Sequence, residues 1–182
     1  MEFTLRRADS IDLDAVMSLE EAGFPRGIVE SRGAFSRRIE TFPEGFLLAE
    51  HRGQPQGYIC AEIWASSPDL HSDCRRFDLG HDIGAWLRRD GDTLYVASMT
   101  VAPAFRGQGL GRELFRRGLE RWTREFPRVR RIFLIVNEHW TSARGIYAAE
   151  GFDKTGRLTS FFRPVDGPPG DALVMEKVTG RG

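Results

Sequence analysis

LYVASMTVAPAFRGQGLGR, residues 94–112, is the stretch from which the fold of this chain is most readily deduced. Residues 94–101 form an apolar run typical of a buried strand, and Pro103 ends it because proline cannot donate a hydrogen bond to a sheet. Glycines follow at 107, 109 and 111, and a long helical pattern begins after them. Strand, glycine-rich turn and helix in this order direct several backbone N–H groups and the positive end of the helix dipole at one point. The stretch therefore predicts a site for phosphate or pyrophosphate.

The spacing of the glycines distinguishes among loops that bind phosphates. A P-loop has Gly-Lys-Ser/Thr after its glycines, whereas Leu110-Gly111-Arg112 follows here. A dinucleotide-binding G-x-G-x-x-G that starts at Gly107 requires a glycine at position 112, which is Arg112. The pattern that the sequence does show is Arg-x-x-Gly-x-Gly after Val-x-Pro, which is neither of these two motifs. The alternative to a phosphate-binding loop is an ordinary glycine-rich connection between a strand and a helix.

Composition and charge exclude several classes of function. The 182 residues carry 26 basic and 26 acidic side chains, so no net charge attracts nucleic acid or an anionic membrane. Cys60 and Cys74 have neither metal-ligand nor disulfide-framework spacing. The N-terminus lacks the apolar core of a signal peptide, and no apolar run approaches a membrane span. We expect a single cytoplasmic domain over 1–182 that binds no metal, nucleic acid or membrane. The oligomeric state stays open, and a homodimer is one option.

Hydrophobic periodicity and turn residues predict the element order β-α-α-β-β-β-α-β-α-β-β. The predicted strands are 3–6, 46–49, 58–64, 94–101, 131–137, 152–162 and 171–178. The predicted helices run from a cap at Asp9 or Ser10 to Gly23, from about Glu30 to Thr41, from the glycines to about Glu125, and from about Thr141 to Gly151. This order predicts the α/β class, with one mixed, mostly antiparallel sheet of six or seven strands and helices on both faces. Residues 66–92 are interpreted as a surface excursion or, alternatively, as a border of the substrate site.

Two further stretches support the interpretation of the loop. Ala143-x-x-x-Tyr147-x-x-x-Gly151-Phe152 covers the last predicted helix and the start of the next strand, and DALVMEKV at 171–178 forms the last strand. Together with the loop and the element order, these motifs resemble the GNAT superfamily, the acetyl-CoA-dependent N-acetyltransferases. The resemblance is firm over about 94–178 and looser over 1–66.

The resemblance implies a site for acetyl-CoA as co-substrate. The backbone of Met99 and Val101 would pair with the pantetheine amides like an added strand. Tyr147 would protonate the departing thiolate or donate a hydrogen bond to it. The alternative role for Tyr147 is that of a core aromatic residue on an amphipathic helix. The other implied cofactor contacts are Thr100, Arg106, Gly107, Gln108, Gly109, Leu110, Gly111, Arg112, Trp140 and Ala143.

The sequence departs from the family pattern at several positions. Trp140 replaces an asparagine that often helps to start the helix, so Thr141 or Ser142 would have to cap it. Ser98 stands where many members carry a catalytic glutamate on the central strand. Ile135 stands where the ribosomal-protein N-terminal acetyltransferases usually have a glutamate, and Phe161-Phe162-Arg163-Pro164 replaces the Tyr-Tyr-Pro of that branch.

The sequence therefore does not identify the general base. Candidates are Glu62 on the third strand, Ser98 acting through water, and His81 or His139. Cys60 lies near Glu62, but it has no paired histidine in the sequence pattern, so an acyl-cysteine step has little support.

The leading hypothesis is transfer of acetyl from acetyl-CoA to a primary amine by direct attack in a ternary complex. Ile135 and the two phenylalanines before Arg163 favour a small-molecule amine over a peptide N-terminus. The alternatives are a peptide or protein N-terminal acetyltransferase of the ribosomal-protein type, a non-catalytic acyl-CoA-binding module, and a scaffold that binds a partner through Trp64, Trp86 and Trp140.

Overall fold

The computed structural model describes residues 2–70 and 74–180, and within them seven strands form one mixed sheet. The strands are β1 (Thr4–Arg7), β2 (Phe46–His51), β3 (Gln54–Trp64), β4 (Thr93–Val101), β5 (Arg131–Asn137), β6 (Asp153–Phe162) and β7 (Gly170–Val178). The helices are α1 (Leu13–Gly23), α2 (Arg32–Thr41), α3 (Ile83–Trp86), α4 (Leu110–Glu125) and α5 (Thr141–Ala149). The predicted fold class is confirmed, and the predicted elements occur in the predicted order with the short α3 added.

Both faces of the sheet are covered by helices because each helix carries one apolar stripe. On one face α4 buries Leu114, Phe115 and Trp122 against the sheet, in the same core cluster as Tyr147 of α5. On the other face α1 and α2 bury a second cluster, which includes Val16, Leu19, Phe35 and Ile39.

Side-chain caps begin the short turn that precedes α1 and the helix α2 itself. Asp9 accepts a hydrogen bond from the Ser10 N–H and begins a single 3-10 turn, Ser10–Asp12, that leads into α1. Ser31 accepts from the Ala34 N–H, so α2 begins at Arg32 and not near Glu30 as predicted. Glu30 lies outside the helix, where its N–H donates to the carboxylate of Glu20.

The strand order is β1-β2-β3-β4-β5-β7-β6, with β4 and β5 parallel and every other neighbouring pair antiparallel. The β4–β5 register runs only from Thr93↔Arg131 to Val96↔Leu134. Beyond it, β4 continues to Val101 beside β3, and β5 continues to Asn137 beside β7. The sheet therefore opens between the carboxyl ends of β4 and β5.

A β-bulge sets which face each side chain of β4 occupies. Cys60 pairs with Ser98 and Ala61 with Val96, so Ala97 is the extra residue. A bulge reverses the alternation of side chains along a strand. Leu94 and Val96 belong to the core cluster of α4 before the bulge, and Met99 packs against that cluster after it. Ser98 consequently faces the α1 side, where its hydroxyl lies 2.9 Å from that of Tyr58.

The described part of the 66–92 segment is packed into the protein and is not only a surface excursion. A 3-10 turn at Cys74–Phe77 buries Phe77 among Trp64, Tyr95 and Phe133. The short helix α3, capped by Asp82, buries Ile83. The segment therefore forms a wall beside β3 and β4.

Candidate active site

The glycine-rich loop presents an open surface of backbone at the start of α4. Gly107 and Gly109 have φ values of 71° and 85°, the left-handed region that favours glycine. A Cβ at either position would meet nothing within 4 Å, so the space in front of the loop is free. The first N–H groups of a helix have no partner within the helix. Loop and helix start thus have the geometry of an anion site.

The arginines around the loop differ in what they contact. Arg106 donates from Nε to the Val101 carbonyl at 3.1 Å and from Nη2 to the Ala22 carbonyl at 3.1 Å, so it ties the loop to β4 and α1. Gln108 donates to the Ala104 carbonyl at 2.7 Å. The Arg112 side chain is 64% exposed, and its Nε lies 3.6 Å from Glu150. The charge of Arg112 is therefore the more available to a bound phosphate.

The edge of β4 that faces the opening supplies backbone at Met99 and Val101. The Ala102 N–H donates to the Gln56 carbonyl, and successive residues direct their backbone groups to opposite edges of a strand, so those of Thr100 face β3. The Thr100 side chain is buried against Gly23 of α1, so the predicted contact at Thr100 has no group directed at the opening. Extended ligands bind such an edge as an added strand would.

A cavity of about 90 Å³ lies where β4 and β5 separate. Residues 97–99 of β4 and residues 134–136 of β5 form two of its walls. Ala143 and Tyr147 of α5 and the preceding residue Trp140 also line it. The loop at 107–112 begins α4, and a Cβ on Gly111 would lie 3.7 Å from Val101 of β4 and 3.5 Å from Ile146 of α5. Of the predicted cofactor contacts, Met99, Trp140 and Ala143 line the cavity, whereas residues 100–112 do not.

Tyr147 lines the cavity and also belongs to the core. Its side chain is 8% exposed, and its ring lies 4.8 Å from that of Phe115, centroid to centroid. Burial raises the pKa of Tyr147 above its ordinary value. The hydroxyl therefore keeps its proton at neutral pH, as a proton donor to a thiolate must.

Trp140 closes the cavity at the start of α5. Its ring packs between those of Phe24, at 5.3 Å, and Phe162, at 5.1 Å. Trp140 occupies the N-cap position without a side-chain cap, so the prediction that Thr141 or Ser142 caps α5 is wrong. The tight turn before the helix instead satisfies one N–H group of the first helical turn, because the Thr141 N–H donates to the His139 carbonyl at 2.9 Å.

The wall on the α1–α2 side is charged. Glu20, Glu30, Arg38, Asp78 and His81 line the cavity there. Arg38 forms a bidentate pair with Glu30, both distances being 2.8 Å, and its Nε lies 3.7 Å from Glu62.

The predicted base candidates occupy different places. Glu62 is fully buried behind His81, whose Nε2 lies 2.8 Å from Glu62 Oε1, and it also accepts from Trp64 Nε1 at 3.0 Å. His139 is 75% exposed beside Glu138. Cys60 is buried, and burial raises the pKa of its thiol to about 12, so no thiolate is available at neutral pH.

Sequence reasoning missed Glu20. This α1 residue is 1% exposed and accepts hydrogen bonds from the Glu30 N–H, at 2.9 Å, and from the Tyr58 hydroxyl. Burial raises the pKa of its carboxyl to about 7. The signal was present, because Glu20 follows Leu13 and Val16 at helical spacing on the apolar stripe of α1. A carboxyl group on such a stripe needs partners that the sequence does not reveal.

Among the described side chains, no three His, Cys, Asp or Glu residues are grouped so that they could hold a metal ion. None of the described helices is long and apolar enough to cross a membrane.

Comparison with known proteins gives this arrangement a family. The acetyltransferase (GNAT) family matches residues 13–152. The uncharacterized N-acetyltransferase YkwB of Bacillus subtilis (strain 168) is 32% identical over 117 residues, 61% of this chain and about half, 51%, of the relative's length. The chain belongs to the GNAT acetyltransferase family.

Two solved structures share the fold over nearly the whole chain. The GphF GNAT-like decarboxylase, solved in complex with isobutyryl-CoA, superposes with a TM-score of 0.78 at 21% identity, covering 96% of this chain and 98% of that one. The ribosomal-protein-S18-alanine N-acetyltransferase from Escherichia coli superposes with a TM-score of 0.72 at 17% identity, covering 100% of this chain and 97% of that one.

Proposed function

We propose that this protein transfers the acetyl group of acetyl-CoA to the primary amine of a small molecule. The observation that carries the proposal is the cavity of about 90 Å³ at the opening between β4 and β5, which Tyr147 lines from one side and charged side chains line from the other. The open loop at 107–112 suits the pyrophosphate, and the free edge of β4 suits the pantetheine.

The reaction in this proposal is direct attack on the thioester. The amine nitrogen forms a bond with the carbonyl carbon, the C–S bond breaks, and Tyr147 supplies a proton to the sulfur. A backbone N–H near Met99 would stabilise the oxygen of the tetrahedral intermediate. A covalent acyl-cysteine route is disfavoured because the Cys60 thiol is buried and stays protonated.

Two features favour a small amine over a peptide N-terminus. The rings of Phe24, Trp140 and Phe162 pack together and close one end of the cavity. Ile135, which lines the cavity, offers no carboxylate to a peptide amine. The E. coli protein named above is a ribosomal-protein-S18-alanine N-acetyltransferase, and at 17% identity it shares only the fold with this chain.

The proposal is tested by an acceptor screen with acetyl-CoA that follows release of free thiol. Small primary amines, amino acids and peptides are offered in parallel, and thiol release above the rate of acetyl-CoA hydrolysis is expected with small amines. Release only with peptides would instead favour N-terminal acetylation. Tight acetyl-CoA binding without release on any acceptor would show a non-catalytic acyl-CoA-binding module.

A further inference from the structure

Three groups from three separate elements form a chain of hydrogen bonds that ends at the cavity. The Tyr58 hydroxyl on β3 donates to the Glu20 carboxylate on α1, and it lies 2.9 Å from the hydroxyl of Ser98 on β4. Ser98 and Glu20 both line the cavity, and Tyr58 is buried between them. The bulge at Ala97 is what brings Ser98 to this side of β4.

We infer that Glu20, reached through Tyr58 and Ser98, is the proton acceptor that converts the bound ammonium group into the nucleophilic amine. This inference rests on the proposed function. It replaces Glu62 as the candidate base, because Glu62 lies behind His81 and does not line the cavity.

The direction of the chain follows from counting protons. Tyr58 has a single hydroxyl proton, and it is donated to Glu20. Ser98 must therefore be the donor in its hydrogen bond with Tyr58. The lone pairs of the Ser98 oxygen are then free to accept a proton from an amine in the cavity.

The proton transfer balances along this chain. An ammonium N–H bond breaks as an O–H bond forms on Ser98, Ser98 passes its own proton to Tyr58, and Tyr58 passes its proton to Glu20. The ammonium becomes an amine and the carboxylate becomes a carboxylic acid, while both hydroxyls are restored. Once the amine attacks, the nitrogen loses a second proton as the amide forms, and this proton balances the one that the thiolate takes.

The surroundings of Glu20 suit a group that exchanges a proton near neutral pH. Burial is the main reason that its pKa rises to about 7. The Glu30 N–H and Tyr58 hydroxyl bonds lower it, the charge of Glu30 raises it, and the charge of Arg38 lowers it. Cys60 and Glu62 of β3 are further titratable groups in this cluster, and Asp78, His81 and Tyr95 line the same cavity. A base with a pKa near the working pH is the most effective one.

The charge of the cavity wall also favours binding of the amine in its protonated, ammonium form. Glu20, Glu30 and Asp78 contribute three carboxyl groups to the lining, against Arg38 and His81. Arg38 and Glu30 pair with each other, which leaves the carboxyl groups of Glu20 and Asp78 to attract a cation. A cationic ammonium is therefore attracted to the cavity, and it needs a proton acceptor once inside.

The test measures kcat/KM between pH 5 and 9 with the best amine from the acceptor screen. For the parent protein we expect kcat/KM to fall about tenfold per pH unit below about pH 7. Glu20→Gln should abolish this fall of kcat/KM at acid pH and lower kcat/KM at pH 8 on the order of 10²-fold, with acetyl-CoA affinity unchanged. Tyr58→Phe, which keeps both the ring and Glu20, should lose rate to a similar extent. Glu21→Gln, an exposed neighbour on the same helix, should match the parent.

A carboxyl ¹³C NMR titration supplies a readout that does not depend on turnover. A carboxyl resonance that titrates near pH 7 should be present in the parent and absent from Glu20→Gln. Absence of this carboxyl resonance from the parent would overturn the inference. So would a fall of kcat/KM at acid pH that persists in Glu20→Gln, or one whose midpoint follows the pKa of the amine offered. An active parent with a fully active Glu20→Gln overturns the relay alone. A parent that binds acetyl-CoA but acetylates no amine overturns the proposed function and the relay together.

Discussion

Replacing Glu20 by glutamine should change how the stability of the protein depends on pH. Burial raises the pKa of Glu20 from an ordinary value of 4.5 to about 7 in the folded protein. Between these two pH values the unfolded chain releases the proton and the folded protein retains it. The free energy of unfolding therefore falls as pH rises from about 4.5 to about 7, and the contribution is fully present only below 4.5. At about 1.4 kcal/mol per pKa unit, the difference corresponds to about 3 kcal/mol.

The measurement is urea unfolding of the parent and of Glu20→Gln at intervals from pH 4 to pH 8, each extrapolated to zero urea. Because glutamine does not titrate, the variant should gain about 3 kcal/mol on the parent across this window. Glu21→Gln changes an exposed carboxyl on the same helix and should follow the parent. Two curves for the parent and Glu20→Gln that stay parallel across the whole range would refute the reasoning, because Glu20 would then titrate alike in both states.

The remaining predictions concern the acetyl-CoA half of the site. Gly109→Glu should abolish acetyl-CoA binding measured by calorimetry, because it places a carboxylate in the open space before the loop. Gly53→Glu, at another glycine with a left-handed φ and open space around it, should bind acetyl-CoA normally. Equal affinities of the two variants for acetyl-CoA would contradict the assignment. Arg112→Ala should weaken acetyl-CoA binding more than Arg124→Ala does, and the gap should shrink at high salt; equal losses would remove the distinction. Tyr147→Phe should lower kcat on the order of 10²-fold with little change in KM for acetyl-CoA, and unchanged turnover would leave Tyr147 as a packing aromatic.

The parts of the fold that were predictable from sequence are those fixed by local pattern. The apolar stripe of α4, the glycines before it and the Tyr147 motif each lie within one element and its flanking turn. Hydrophobic spacing identifies such units without knowledge of the rest of the chain. The element order was confirmed for the same reason, with boundary errors such as the start of α2, where Ser31 caps the helix.

The charged wall of the site could not be predicted because it depends on register and on distant pairs. Glu20, Tyr58 and Ser98 come from α1, β3 and β4, and no local pattern relates them. The bulge at Ala97 decides the face of Ser98, yet nothing in the β4 sequence marks it. The packing of Phe77 beneath Trp64 likewise arises from a segment without periodicity.

Because β4 and β5 pair only over a short stretch, the opening between them separates two parts of the site that can be redesigned independently. Under the proposed function, the wall built from α1, α2 and the segment before β4 holds the amine, and its side chains can be exchanged to accept a different one. The loop at 107–112 and the edge of β4 lie on the α4–α5 side and would be left as they are. A library confined to positions such as Phe24, Ile28 and Leu79 therefore samples acceptor specificity in a background that keeps one common acyl donor.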